Sequence, residues 1–420
     1  MAERRAPFAD RPTVGARGLR TQQRILDAAL VVFGDNGYDR STLDRIGKQA
    51  GCSRVSIYQY FEGKDDVFRQ LAGQVARQLR AAVEALAPVT PDAAGLDALR
   101  AWVGRYADVF ARYEPVFRAF AAAAATDATL VGGAESTTRR NLELFVSKVH
   151  GTALPDRQLD ALVPLVLATV TRTLDNAALL RGASPGYERD RVELALAEVV
   201  HRALFGLDRA VNAGAVRGPR PATLRFGAAM ADLFERGRGI AGEAAQPGRR
   251  TLAAMLATGP EVVAAAGYRG ITVDQVAAAA DVSHGAFYNY FDNVDDFVRT
   301  VAAGAVDELS AVLARTPDPT DRAALRRWLR DYNAVHVEKG ALTRVWAEAV
   351  EDALRGDRAA VLDWTRRRLA RLLAGRDLGD ADVDAVVLLA TVEAFGTAPR
   401  SAVELDAVTL LVERGLFGRA

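Results

Sequence analysis

The stretch TLDRIGKQAGCSRVSIYQYFEGKDD at 42–66 returns without a gap as TVDQVAAAADVSHGAFYNYFDNVDD at 272–296, a constant offset of 230 residues. Thr, Asp, Ala, Ser, two Tyr, Phe and a closing Asp-Asp stand at matching places. In the first copy Thr42 caps a helix that runs through Ile46 to Ala50, and Asp44 lies in its first turn, where a carboxylate suits the helix dipole. Gly51-Cys52 makes a tight turn. Ser53 caps a short third helix over 53 to about 60, and Gly63-Lys64 open a long fourth. Upstream, Ile25, Ala28, Ala29, Val32 and Phe33 share one helical face, which Asn36-Gly37 ends. Two short helices joined by a glycine-bearing turn form the helix-turn-helix signature.

The likeness of the two halves continues more weakly outward. LRAWVGRYADVF (99–110) stands beside LRRWLRDYNAVH (325–336), and Ala203 to Gly206 beside Gly415 to Gly418. The chain of 420 residues is therefore two related units, each about 200 residues long. Ala, Leu, Arg and Glu dominate both, all good helix formers, with no series of alternating β-branched runs. An all-α fold follows.

Lys+Arg number 54 against 53 Asp+Glu, a formal net charge of +1. That excludes a polycationic tail as the basis of nucleic-acid binding, but not a local basic face. A single cysteine, Cys52, excludes an intramolecular disulfide framework or a thiolate zinc cluster and most simply packs in the turn. His150, His201, His284 and His336 are scattered, and no phosphate loop, nucleophile elbow or metal-ligand spacing occurs. No catalytic residue, metal or cofactor is assigned, and an enzyme is not expected. No apolar run reaches the length of a membrane span, and Met1 to Arg24 hold no signal-peptide stretch. The expectation is a soluble, cytoplasmic, nucleoid-associated protein without a membrane partner.

The run RILDAALVVFGDNGYDRSTLDRIGKQAGCSRVSIYQYFEGKDDVF (24–68) resembles the DNA-binding domain of TetR-family transcriptional regulators in its Gly-Tyr, Thr cap, Ala-Gly-x-Ser turn, Tyr-x-x-Phe ending and Lys at helix four. The second copy shares Gly267-Tyr268, Thr272, Ser283, Tyr288, Tyr290 and Phe291. Two such units in one chain resemble the tandem TetR regulators of actinobacteria, some of which control lipid or sterol genes. The resemblance implies two tandem TetR-like units, each a helix-turn-helix three-helix domain followed by a helical ligand-binding and dimerisation domain. The expected division is a basic arm (1–19), head 1 (20–66), body 1 (67–206), linker (207–248), head 2 (249–296) and body 2 (297–420). The linker is rich in Gly, with Pro219, Pro221 and Pro247, and Leu224, Met230, Leu233 and Phe234 are placed to form one short helix that docks.

In such a motif the second helix enters the major groove with its N-terminal residues toward base edges. In head 1 these are Ser53, Arg54, Val55 and Ser56, and Arg54 suits bidentate contact with a guanine. Thr42, Tyr58, Tyr60 and Lys64 take phosphate-facing places by the same resemblance, with packing as the other reading of the two tyrosines. Arg4, Arg5, Arg11, Arg17, Arg20 and Arg24 form an arm, with Arg20 a candidate DNA contact, that either lies along the DNA backbone or minor groove or stays solvated. In head 2 the candidate contacts are Thr272, Ser283, His284, Gly285, Tyr288, Asn289 and Tyr290. There Arg54-Val55-Ser56 becomes His284-Gly285-Ala286 and Lys64 becomes Val294. Leu30 becomes Pro260, which predicts a kink or restart in the first helix. Head 2 either binds more weakly to a different half-site or is a structural copy.

In the bodies, Trp102, Tyr106, Phe110, Phe117 and Phe120, and Trp328, Tyr332, His336 and Trp346, mark either an aromatic core stripe or the wall of an apolar effector pocket, with a lipid or sterol-like molecule in view. The last two helices of each half, about 156–181 with 189–205 and 380–396 with 401–415, are the dimerisation candidates. Both partners lie in one chain, so an intramolecular pseudo-dimer and a monomeric chain are expected. The functional expectation is a ligand-responsive repressor that reads an asymmetric or imperfectly palindromic double-stranded operator. The alternative is a helical small-molecule- or protein-binding module with one or both heads degenerate.

Overall fold

The computed structural model describes residues 15–419 apart from 39, 213–220, 247–248, 267–269, 316, 319, 354–356, 374–375, 377 and 397–399. Arg4, Arg5 and Arg11 of the arm, Pro219, Pro247 and the Gly267-Tyr268 pair lie outside the described residues. Among those described there is no strand, and Val89 and Val149 form an isolated β-bridge. The chain packs as two compact units. One runs to Thr90 and takes in Asp97–His150; the other takes in Pro91–Leu96 and Gly151–Ala420.

The first unit opens with α1 (Ala16–Asn36), α2 (Leu43–Gln49), α3 (Arg54–Ile57) and α4 (Lys64–Glu84). Ile25, Ala29, Ile46, Ile57, Phe61, Val67 and Phe68 close its core and are buried. Helix α5 (Ala93–Thr126) follows, and α6 (Ala128–Lys148) packs on α4. Pro115 lies inside α5, and Tyr113 leaves helical geometry there at φ −113°, ψ 20°. A proline removes one ladder hydrogen bond and clashes with the preceding turn, so the bend falls just before it. The distal part of α5 beyond the bend joins the head's core through Val116, Ala123 and the half-buried Phe117 and Phe120.

The second unit contains α7 (Asp156–Ala183) and α8 (Arg189–Phe205), α9 (Ala228–Ala244), and the repeat α10 (Arg250–Ala266), α11 (Val273–Ala279), α12 (His284–Phe287) and α13 (Val294–Ala314). It ends with α14 (Arg322–Ala353), α15 (Arg358–Leu369), α16 (Ala381–Gly396) and α17 (Ala402–Leu410), the last extended by a π-helical turn, Leu411–Leu416. Helix α16 packs along α7 and α8, α17 packs on α7, and the π-helical turn packs on α8. Val383 and residues 385–392 of α16 are buried on all sides of the helix, as expected of a core helix apolar all round. Among the described residues one helix, α7, is long and apolar enough by length and composition to cross a membrane, as a buried core helix of a soluble protein can also be. Here it is a bundle helix with Thr169, Thr173 and Asn176 buried along it.

Two local expectations need revision. Helix α10 runs through Pro260 without restarting, although Pro260 cannot donate to the Leu256 carbonyl. The regular part of α3 spans only four residues, and residues 58–60 close it as a turn in which the Tyr60 N–H donates to the Ile57 carbonyl at 3.0 Å. The linker's described part is anchored as well as helical. The Leu224 N–H donates to Asp363 at 3.1 Å and the Gly227 N–H to Asp357 at 2.9 Å, while Met230 and Phe234 of α9 are buried with Ala302, Ala303, Val306 and Trp346.

Candidate nucleic-acid interface

Each head presents its third helix on a rigid turn. Thr42 and Thr272 cap the second helices, accepting from the Arg45 and Gln275 N–H groups, and Gln275 reaches back to the Thr272 N–H to complete a capping box. Ser53 and Ser283 cap the third helices, accepting from the Ser56 and Ala286 N–H groups at 3.1 and 3.2 Å. Between the helices the backbone must turn left-handed. Gly51 does so at φ +63°, and its counterpart Asp281 at φ +53°, the one non-glycine with positive φ among the described residues. Ile57 and Phe287 pin the inner faces of the third helices in the cores.

What remains outward in head 1 is Ser53, Arg54 and Val55, with Ser56 half-buried. Val55 is 74% exposed, an apolar side chain that the head's own packing does not use. Arg54 reaches back to Asp44 at 3.4 Å, an open surface pair that holds the guanidinium only weakly. Tyr58 and Tyr60 lean half-buried on the core. Lys64 opens α4 with its Nζ donating to the Tyr38 carbonyl at 3.1 Å and standing 4.3 Å from that ring's centroid. Tyr38 in turn donates its hydroxyl to Asp65 at 2.5 Å. Lys64 is thus fixed at the helix N-terminus. Arg20 is exposed on α1, and Arg24 lies against the turn, donating to the Cys52 sulfur at 3.5 Å.

Head 2 repeats the arrangement with different chemistry. His284 Nδ1 stands 2.6 Å from Asp274, the counterpart of Asp44. Gly285 has open space where a Cβ would stand, so the head's own packing does not demand a glycine there. Tyr288 is 52% exposed and its ring lies 5.5 Å from that of His284, while Asn289 is exposed and Tyr290 leans on the core. Nearby cations are held by the chain's own acids: Arg236 by Asp296 at 2.6 Å, Arg249 by Glu243 at 3.0 Å and Arg299 by Asp295 at 2.9 Å.

The sequence profile described as bacterial regulatory proteins, tetR family, matches residues 25–71 and 256–301, the two heads. The chain carries two domains of the TetR N-terminal type in tandem. Relatives match over head-sized segments. An uncharacterised HTH-type transcriptional regulator, TtgW, of Pseudomonas putida is 44% identical over 54 residues, 13% of this chain and 40% of its own length. The fatty acid metabolism regulator protein of Bacillus subtilis is 38% identical over 60 residues, 13% of this chain and 31% of its own length. The chain thus spans less than half of either relative. Among solved structures, the TetR regulator PfmR from Thermus thermophilus is 20% identical with a TM-score of 0.36, covering 43% of this chain and 97% of that one. A SmeT–triclosan complex is 20% identical at a TM-score of 0.34, covering 48% and 100%.

Behind the TetR-type heads, the aromatics picked out in the bodies do not form one stripe. Trp102 packs edge-on to Tyr106 and Phe145 at 5.7 and 5.0 Å, and Phe110 against Phe117 at 5.1 Å, whereas Phe117 and Phe120 lean on the core of head 1. The Trp102 indole N–H is buried without an acceptor among the described residues. In the second half, Trp328, Tyr332 and His336 line α14, and the Trp328 indole donates to the Val312 carbonyl at 2.9 Å. Burial raises the Tyr332 phenol well above its usual pKa and lowers that of His336. Trp346 stands apart with Phe234 of α9 at 5.7 Å. The role of α9 as a packing partner was only partly visible in sequence. Its apolar positions were legible, but the acids that anchor its N-terminal side, Asp357 and Asp363, lie more than a hundred residues away in the chain.

Proposed function

We propose that the chain is a ligand-responsive transcriptional regulator of the repressor type, with two unlike heads on one body reading a double-stranded operator of two different half-sites. The observation that carries this is the outward first turn of α3, where Arg54 and Val55 project from a helix whose cap and inner face are both fixed. Ser53, Arg54, Val55 and Ser56 approach base edges, and Arg20, Thr42, Tyr58, Tyr60 and Lys64 the phosphates. In head 2, Ser283, His284 and Gly285 take the base-facing places, Asn289 reads a base or contacts phosphate, and Thr272, Tyr288 and Tyr290 lie beside the backbone. Its nearby arginines are tied to acids, which supports weaker phosphate attraction. The division into arm, two heads, two bodies and linker given by sequence is part of this reading, as is action in the cytoplasm at the nucleoid.

The two halves join as a pseudo-dimer, a reading supported by the packing of α7 and α8 on α16, α17 and the π-helical turn. A small apolar effector, lipid or sterol-like, binds among the aromatics of a body. The unpartnered indole N–H of Trp102 supports this, because an oxygen-bearing ligand would supply its acceptor. By favouring one spacing of the heads, the effector shifts the population away from the DNA-bound form.

Selection of bound DNA from a random pool by the full chain tests the reading. Two unlike half-sites are expected. Arg54→Ala should relax one half-site only, by about 1–3 kcal/mol for a lost bidentate base contact. Relaxation of both half-sites equally would mean that two copies of head 1 do the reading, and no enrichment at low salt would overturn DNA binding altogether.

A further inference from the structure

Beneath the linker lies an open cavity of about 350 Å³, in the size range of small-ligand sites. Phe226 and Phe234 form its linker side, Trp364 of α15 faces them, and Ser310 and Ala311 of α13 line its floor. The three rings meet at 5.5–5.9 Å between centroids and make a continuous aromatic wall. The wall is built rather than incidental, because Asp363 and Asp357 hold the Leu224 and Gly227 N–H groups on either side of Phe226.

The charges in the cavity are uneven. Arg238 is paired with Asp307 at 3.2 Å, and Glu235 is exposed at the edge. Arg368 lies with its guanidinium 3.4 Å from the centroid of the Trp364 ring and donates to the Trp364 carbonyl at 3.0 Å. No carboxylate pairs with it among the described residues. Burial, with Arg371 and Arg367 close by and Asp307 opposing them, pushes its pKa down to about 10, so it stays charged at neutral pH. An arginine stacked on tryptophan, with Asp307 nearby but engaged by Arg238, suits a planar anionic group.

We propose that this cavity binds a small planar aromatic carboxylate, its ring against Phe226, Phe234 and Trp364 and its carboxylate on Arg368. The site is distinct from the aromatic stripes of the bodies and makes the linker part of a receptor. Helix α9 also holds the start of α13 in head 2 through Arg236 and Asp296. On the regulator reading, occupancy would therefore act on the second half-site first.

Calorimetric titration of the full chain with naphthalene-2-carboxylate, and with the neutral naphthalene-2-carboxamide, tests the site without DNA. A failure here is thereby separable from a failure of DNA binding. The carboxylate should bind at least tenfold more tightly than the carboxamide. Arg368→Gln should erase that difference while leaving the carboxamide affinity unchanged, and Ala311→Phe, which fills the cavity, should abolish both. Circular-dichroism melting confirms that each variant is folded. Equal affinity for the two probes, binding that survives Ala311→Phe, or no binding to the wild-type chain would overturn the proposal.

Discussion

Gly259 and Phe297 show how the two heads reach one core with different residues. A Cβ on Gly259 would stand 2.6 Å from the buried Phe297 ring, whereas head 1 has Ala29 and Val67 at the matching places, both fully buried. The pair trades volume across two helices. Gly259→Ala gains helix propensity but overpacks a ring that has nowhere to move, so a net loss of about 1–2 kcal/mol is expected. Adding Phe297→Val should recover most of it, and urea denaturation of the three variants would show whether it does. Asp281 carries a milder conflict. It holds the left-handed turn that Gly51 fills in head 1, so Asp281→Gly should raise the melting temperature, by a stabilisation of about 1 kcal/mol.

At the scale of elements, α14 and α16 lie close together at Gly396, where a Cβ would meet His336 at 2.8 Å and Tyr332 at 2.9 Å. Asn333 seals the contact by donating to the Phe395 carbonyl at 3.1 Å. His336 is therefore kept neutral, its pKa lowered chiefly by burial and further by Arg172. The unfolded chain takes up this proton near pH 6.5, while the folded chain resists it until lower pH. The contribution is thus fully present above pH 6.5 and is lost as pH falls from there toward the depressed folded value. Compared with His336→Gln, the wild type should lose unfolding free energy progressively from pH 7 to 5. Parallel curves for the two proteins would sink this assignment. The helix-turn-helix elements were legible because their determinants are local: a Thr or Ser cap, a glycine turn and apolar spacing lie within a few residues of one another. One feature was misread and another overlooked for the same reason. Pro260 was expected to kink or restart α10, yet with Leu252, Met255 and Val263 packed into the head the helix runs through it without restarting. Pro115, which accompanies the real bend in α5, drew no notice.

In the unit that joins the end of the first half to the second, buried charge is unevenly shared. The first half supplies Arg191, which meets Asp380, and Arg202, which donates to Glu198 at 3.1 Å and to the Gly415 carbonyl at 2.7 Å. The second half supplies Asp380 and Asp384, the latter paired with Arg376. Burial raises the pKa of Asp384 despite Arg376 and Arg202 beside it. Removing one member leaves the others buried and uncompensated, so Asp384→Asn should cost about 3–5 kcal/mol in denaturant unfolding. Such a pairing is unlike on its two sides and favours one half meeting the other over two copies of the same half. Light scattering at micromolar concentration should give a single species of 45.0 kDa, and a species of twice that mass would count against the pseudo-dimer.

The repeat, the all-helical character, the two heads and the residues on their outer turns were all present in the sequence, because caps, turns and 3.6-residue periodicity act over a few positions. Tertiary structure alone decided that Arg191 finds Asp380, that the linker is pinned by Asp357 and Asp363, and that Trp346 leaves the other aromatics of α14 to pack on Phe234 of α9. Those pairings join side chains far apart in the chain. Nothing in a residue's near neighbours specifies which distant charge or ring will satisfy it, and only the burial of whole helices against one another makes the choice.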